Sequence, residues 1–168
     1  MNNIILIPTD FTEVCDNAVK HGAETAKLLN YKVCLLHVVD KDTKNYLKKE
    51  NLTESIIIEK LGLISNDLKS TYNVEATSIS REGNIFETIA EVAKEIGANF
   101  IVMGTHGKTG MQKITGSFAL KVISSSEVPV VVVQKRAFQL TYKDIVLPIT
   151  SEAGPWEKTQ WAAAIAKQ

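Results

Sequence analysis

The segment Met103-Gly104-Thr105-His106-Gly107-Lys108-Thr109-Gly110, followed by Gly116-Ser117, holds the densest chemical information in the chain. Glycines lack the Cβ that stops other residues from turning successive backbone N–H groups inward, so such a loop can close on an anion. The Gly116-Ser117 step then presents amides and a hydroxyl where a helix pattern begins, and the helix dipole favours negative charge there. Phosphate suits that arrangement; a plain surface loop is the competing reading.

The loop needs elements to hold it. Ile4-Ile5-Leu6-Ile7 is a continuous β-branched run, as expected of a strand buried on both faces, and Pro8-Thr9-Asp10 ends it. Thr12 and Glu13 open a helix whose Val14, Ala18, Gly22, Ala26 and Leu29 keep helical spacing. Tyr31 to Val39 reads as a second strand, and Asp40 to Glu50 as a polar, lysine-rich surface loop without periodicity. Ile57, Leu61, Ile64 and Leu68 fall on one face of a helix over 52–68. A third strand covers 74–80, and Asn84 with Glu87 makes a capping-box start to a helix that runs to about Ile96 and stops at Gly97. Asn99 to Met103 is the fourth strand. Gly116 to about Ser124 is a helix, and Val128 to Val133 the fifth strand.

Strands alternating with helices imply right-handed crossovers and one parallel sheet. The expected fold class is therefore α/β, a five-stranded, doubly wound parallel sheet, with the order 3-2-1-4-5 if strand one sits centrally, two and three to one side and four and five to the other. Ligands bind such sheets beyond the carboxyl ends of the strands, where the winding reverses, here between strands one and four. Asp10 ends the first of these and the glycine loop follows the fourth, so the two face one crevice. Asp10 can hydrogen-bond a ribose hydroxyl or help hold a hydrated Mg²⁺; capping of the following helix is its competing role.

Bulk properties narrow the classes. The 168 residues are 45% hydrophobic and 23% charged, with 19 basic and 19 acidic side chains. Zero formal charge argues against a non-specific nucleic-acid binder or a membrane-surface protein. Cys15 and Cys34 fall in a helix and a strand pattern and read as buried thiols. The start has no positive n-region, and no stretch approaches a membrane span, so a cytoplasmic location is expected. His21, His37 and His106 have no metal-ligand spacing, and His37 alternates within its strand as a hydrogen-bonded residue would. A Walker A loop ending at Gly107-Lys108-Thr109 is excluded, because Val102 stands where its first glycine must be.

The tail repeats the opening. At an offset of 140, Ile145-Val146-Leu147-Pro148 falls on Ile5-Leu6-Ile7-Pro8, and Ala163, Ala166 and Lys167 fall on Ala23, Ala26 and Lys27. This divides the chain into a domain over 1–135, a linker over 136–143, and a strand and helix over 144–168. The last piece reads as the start of a second copy, with Thr150 opposite Asp10; an extension packed on the domain is the alternative.

Pro8-Thr9-Asp10-Phe11-Thr12, Gly104-Thr105-His106-Gly107, Gly116-Ser117 and the Val128-Pro129-Val130-Val131-Val132 run resemble the universal stress protein family over about residues 1–135. The resemblance implies an adenine-nucleotide alpha-hydrolase-like fold and, by the pattern Gly-x2-Gly-x9-Gly-Ser/Thr, the ATP-binding branch. Eight residues rather than nine separate Gly107 from Gly116 here. It also implies adenine near Val39 and Met103, with Pro8, Thr9 and Asp10 on the adenosine side. Gly104, His106, Gly107, Gly116, Ser117 and Phe118 would surround the phosphates of ATP, with or without Mg²⁺. Homodimers through the strand at 128–133 and tandem two-domain forms are further implications. Three functions follow: a stress-response regulatory protein that holds ATP with little turnover, a slow ATPase, or a ligand-free dimeric interaction module, which the short spacing favours.

Overall fold

The computed structural model describes residues 2–105, 116–134 and 144–147, together with helical positions 159, 160, 162, 163 and 166. It gathers the chain into two units, Met1–Ala137 and Phe138–Gln168. In the first, the order is β1 (Ile4–Pro8), α1 (Glu13–Leu29), β2 (Lys32–Val39), α2 (Lys41–Lys49), α3 (Ser55–Tyr72), β3 (Ala76–Glu82), α4 (Ile85–Glu95), β4 (Phe100–Gly104), α5 (Gly116–Ser125) and β5 (Val130–Val133). The sheet is parallel throughout with the order β3-β2-β1-β4-β5, as the alternation of strand and helix patterns predicts.

Side chains alternate across the sheet. Leu6, Cys34, Leu36, Val38, Ile101 and Met103 face one side, where Ile89 and Val92 of α4 and Ala119 and Val122 of α5 cover them. By the same register Ile5, Ile7, Leu35, His37, Val39 and Val102 face the other side, toward α1 and α3. Among the described residues no helix is long and apolar enough to cross a membrane.

One expectation fails in the first unit. Asp40 to Glu50 is no loop: Lys41–Lys49 is helical, started by the Asp40 carboxylate accepting the Thr43 amide at 2.8 Å. Only Thr43 and Leu47 of its residues are buried, a stripe too thin to register as periodicity. In the second unit, 144–147 forms no strand, and Ile145 and Val146 are exposed. A strand needs a ladder partner for its backbone groups, and no described residue pairs with this one.

Gly104 closes β4 where α1 begins. A Cβ there would lie 2.8 Å from Val14 Cγ1 and 2.9 Å from the Val14 carbonyl oxygen, so the first turn of α1 rests directly on the strand. The absence of a side chain is thus required by packing, whatever the loop beyond it does. His37 is a polar member of the core, fully buried, with Nδ1 2.8 Å from the Thr9 carbonyl oxygen. That bond makes Nδ1 the protonated nitrogen of a neutral ring. Burial pushes His37 below its ordinary 6.5, against the pull of Asp10 and Asp40, and does the same to His21.

Gly104→Ala should destabilise the ligand-free protein by about 1–3 kcal/mol in urea unfolding, because the obstacle is backbone and cannot swing aside; unchanged stability would show that α1 can retreat. A histidine whose folded pKa is depressed stabilises fully above the unfolded value of 6.5 and loses that contribution as pH falls toward the folded value. Tm should therefore drop between pH 7.5 and 5.5, and more shallowly in His37→Asn; parallel profiles would refute the assignment.

Candidate functional site

Ladder pairing between β1 and β4 covers only Ile5↔Phe100 and Leu6↔Ile101. Both strands continue, to Pro8 and Gly104, so their carboxyl ends separate beside the reversal of winding. On its other side β1 stays paired with β2 through Pro8↔Leu36. The opening is thus between β1 and β4, as the strand order requires.

The chain leaves β1 through a turn bonded almost wholly to itself. Thr9 donates its amide to Leu36 O at 2.8 Å, accepts His37 at its carbonyl, and accepts the Phe11 amide on Oγ1 at 3.1 Å. Asp10 is 1% exposed. Its Oδ1 accepts the Thr12 amide at 3.0 Å and the Thr12 hydroxyl at 2.5 Å. Among the described residues, its Oδ2 is buried without a hydrogen-bond partner. A buried acceptor without a donor costs about 1–3 kcal/mol, and more when charged. Capping is therefore half of what Asp10 does: it holds the start of α1 through Thr12, which as N-cap makes no side-chain bond of its own to the helix. Cys15 adjoins the same carboxylate; burial first, then the Asp10 charge, pushes its thiol up to about 12, so it stays neutral.

Phe11 takes φ +63, a region costly for a bulky residue. Its ring stacks on His37 with centroids 4.7 Å apart at 18°, and the Lys60 ammonium of α3 lies 5.2 Å from its centroid.

Of the expected site residues, Pro8, Thr9, Asp10, Met103 and Gly104 meet at the carboxyl ends of the two diverging strands. Val39 does not share their arrangement: it lies on the α1–α3 side of the sheet, opposite Met103, and its carbonyl accepts the Gly83 amide at 3.3 Å. Val38 shares the Met103 face. Strand parity counted from Leu6 places Val38, and not Val39, on that face. Gly116, Ser117 and Phe118 form the first turn of α5, the helix on that same face. His106 and Gly107 lie outside the described residues.

Beyond Val38, a cavity of about 400 Å³ opens between the starts of α2 and α4, lined by Asp40, Asp42, Gly83, Asn84, Phe86 and Lys121 among others. Asn84 caps α4 by accepting the Phe86 amide at 3.0 Å, and Lys121 of α5 sits 4.7 Å from the Phe86 ring centroid. This cavity is polar on the Asp40, Asp42 and Asn84 side and is closed toward α5 by Lys121.

Residues 1–134 match the model of the universal stress protein family. Universal stress protein MJ0577 of Methanocaldococcus jannaschii is 32% identical over 157 residues, 79% of this chain and 94% of that protein. MJ0531 of the same organism is 34% identical over 138 residues, 78% of this chain and 81% of that protein. The solved structure of MJ0577 superposes with a TM-score of 0.64 at 31% identity, over 81% of this chain and 98% of the other. A universal stress protein of Archaeoglobus fulgidus in complex with dAMP shares the fold, with a TM-score of 0.59 at 19% identity over 79% of this chain and 98% of the other. Strand order, site geometry and these matches agree: the chain belongs to the universal stress protein family.

Proposed function

We propose that the protein is a stress-response regulatory protein that holds ATP at the carboxyl edge of β1 and β4 with little or no turnover. The observation that carries this reading is Asp10 Oδ2, a buried acceptor that lacks a donor at the point where the sheet opens. A ribose hydroxyl or an exocyclic amine supplies such a donor. Met103, Pro8 and Val38 offer an apolar wall for a base, and the first turn of α5 offers amides to phosphates. We assign Gly107 and His106 to the phosphate side from the glycine pattern alone. Mg²⁺ keeps most of its waters and needs one or two carboxylates beside nucleotide phosphates, so Asp10 fits it as an outer partner. The dAMP complex of the Archaeoglobus fulgidus protein supports the view that this scaffold accommodates an adenine nucleotide.

We also propose a homodimer through β5. That strand is an edge of the sheet, with Val132 exposed, and Leu120 and Ile123 of α5 are exposed as well. An apolar edge of this kind needs covering.

ATP with Mg²⁺ should raise Tm, since a ligand at 100 times its Kd adds about 2.7 kcal/mol to folding; no shift at millimolar ATP would overturn the reading. Asp10→Asn keeps an acceptor for Thr12 and should weaken ATP at least tenfold by calorimetry. Steady phosphate release abolished by that substitution would favour a slow ATPase instead. Val132→Lys should convert a dimer to a monomer in sedimentation; a wild-type monomer would refute the dimer.

A further inference from the structure

His37 and Phe11 belong to no part of the ligand contact described above, yet both bear on the turn that presents Asp10. Phe11 holds φ +63 one residue after Asp10. A non-glycine residue stays in that region only where its surroundings over-determine it. Here the constraints are few and traceable. The Thr9 Oγ1 takes the Phe11 amide, the His37 ring stacks on the Phe11 ring, and Lys60 caps the other ring face. His37 in turn donates from Nδ1 to the Thr9 carbonyl, which fixes the peptide immediately before Asp10. Among the described residues its Nε2 is buried without a partner, so the hydrogen bond and the stack are what the imidazole supplies there.

We propose that His37 is a positioning residue for the ligand pocket: its hydrogen bond to Thr9 and its stack on Phe11 set the direction of the Asp10 carboxylate. The inference rests on the reading that Asp10 meets the nucleotide. Without the Nδ1 donor the Thr9 peptide is free to rotate. Phe11 can then relax to negative φ, and Oδ2 turns away from the crevice while Oδ1 keeps Thr12. The charged groups that face His37 are Asp10 at the end of β1, Asp40 at the start of α2 and Lys60 on α3, and they bear on the ring's charge with opposite signs.

The test is calorimetry with Mg²⁺-ATP on wild type, His37→Phe and His37→Asn, with urea unfolding alongside. His37→Phe keeps an aromatic ring and loses the donor; it should bind at least tenfold more weakly. His37→Asn places an amide N–H near the position of Nδ1 and should recover affinity to within about threefold of wild type, even if it is no more stable than His37→Phe. Equal affinity in wild type and His37→Phe, or no recovery in His37→Asn, would overturn the proposal while leaving ATP binding intact. Should His37→Phe fail to fold, Phe11→Leu removes the stack from a ring that is only half-buried. A tenfold loss there supports the proposal, and wild-type affinity overturns it. No binding by the wild type would sink the nucleotide reading itself, and this inference with it.

Discussion

One carboxylate, satisfied on one oxygen and without a donor on the other among the described residues, organises the carboxyl edge of this sheet. Asp10 cannot be moved outward into water, because its Oδ1 anchors Thr12 and hence the first turn of α1. Nor can α1 move closer to β4, because the Val14 backbone already rests against Gly104. The helix, the turn and the end of β4 therefore fix one another, and the cost of a buried, unpaired oxygen is concentrated at a single atom. A site that stores such a deficit gains most from a ligand that brings the missing donor.

The parallel sheet explains why the deficit falls where it does. In an order that reverses at β1, the helices after β1 and β4 leave on opposite faces, and the two strands part after Leu6 and Ile101. Beyond that ladder β1 and β4 no longer pair with each other, while each keeps its outer neighbour, β2 and β5. The Thr9 carbonyl is satisfied from the side by His37, which is why a polar residue is tolerated in the middle of an otherwise apolar β2. The helices that follow β1, β2, β3 and β4 all start at this edge, so α1, α2, α4 and α5 turn the anion-favouring ends of their dipoles toward it.

Glycine in this family pattern carries two separate duties. The loop reading treats Gly104 as a residue that lets the backbone approach an anion, and the structure gives it a second reason, the crowding of Val14. The two requirements fall on one residue because the loop starts where the helix of the first crossover touches the fourth strand.

Strand and helix identity was readable from local pattern: the β-branched runs at Ile4 and Phe100, the heptad-like face of α3 and the Asn84 start of α4 all stand where their spacing puts them. The Asp10 crevice was legible only given a central first strand, which the observed order supplies. What the sequence did not disclose depends on contacts between distant residues. Leu47 and Thr43 bury α2 through two positions only, too few for a periodic signal. Parity across paired strands decides that Val38, and not Val39, joins Met103. The orphaned oxygen of Asp10, the strained Phe11 and its clamp by His37 and Lys60 arise only when β1, β2 and α3 come together. Periodicity is a property of neighbouring residues, whereas burial and hydrogen-bond satisfaction are properties of the assembled core.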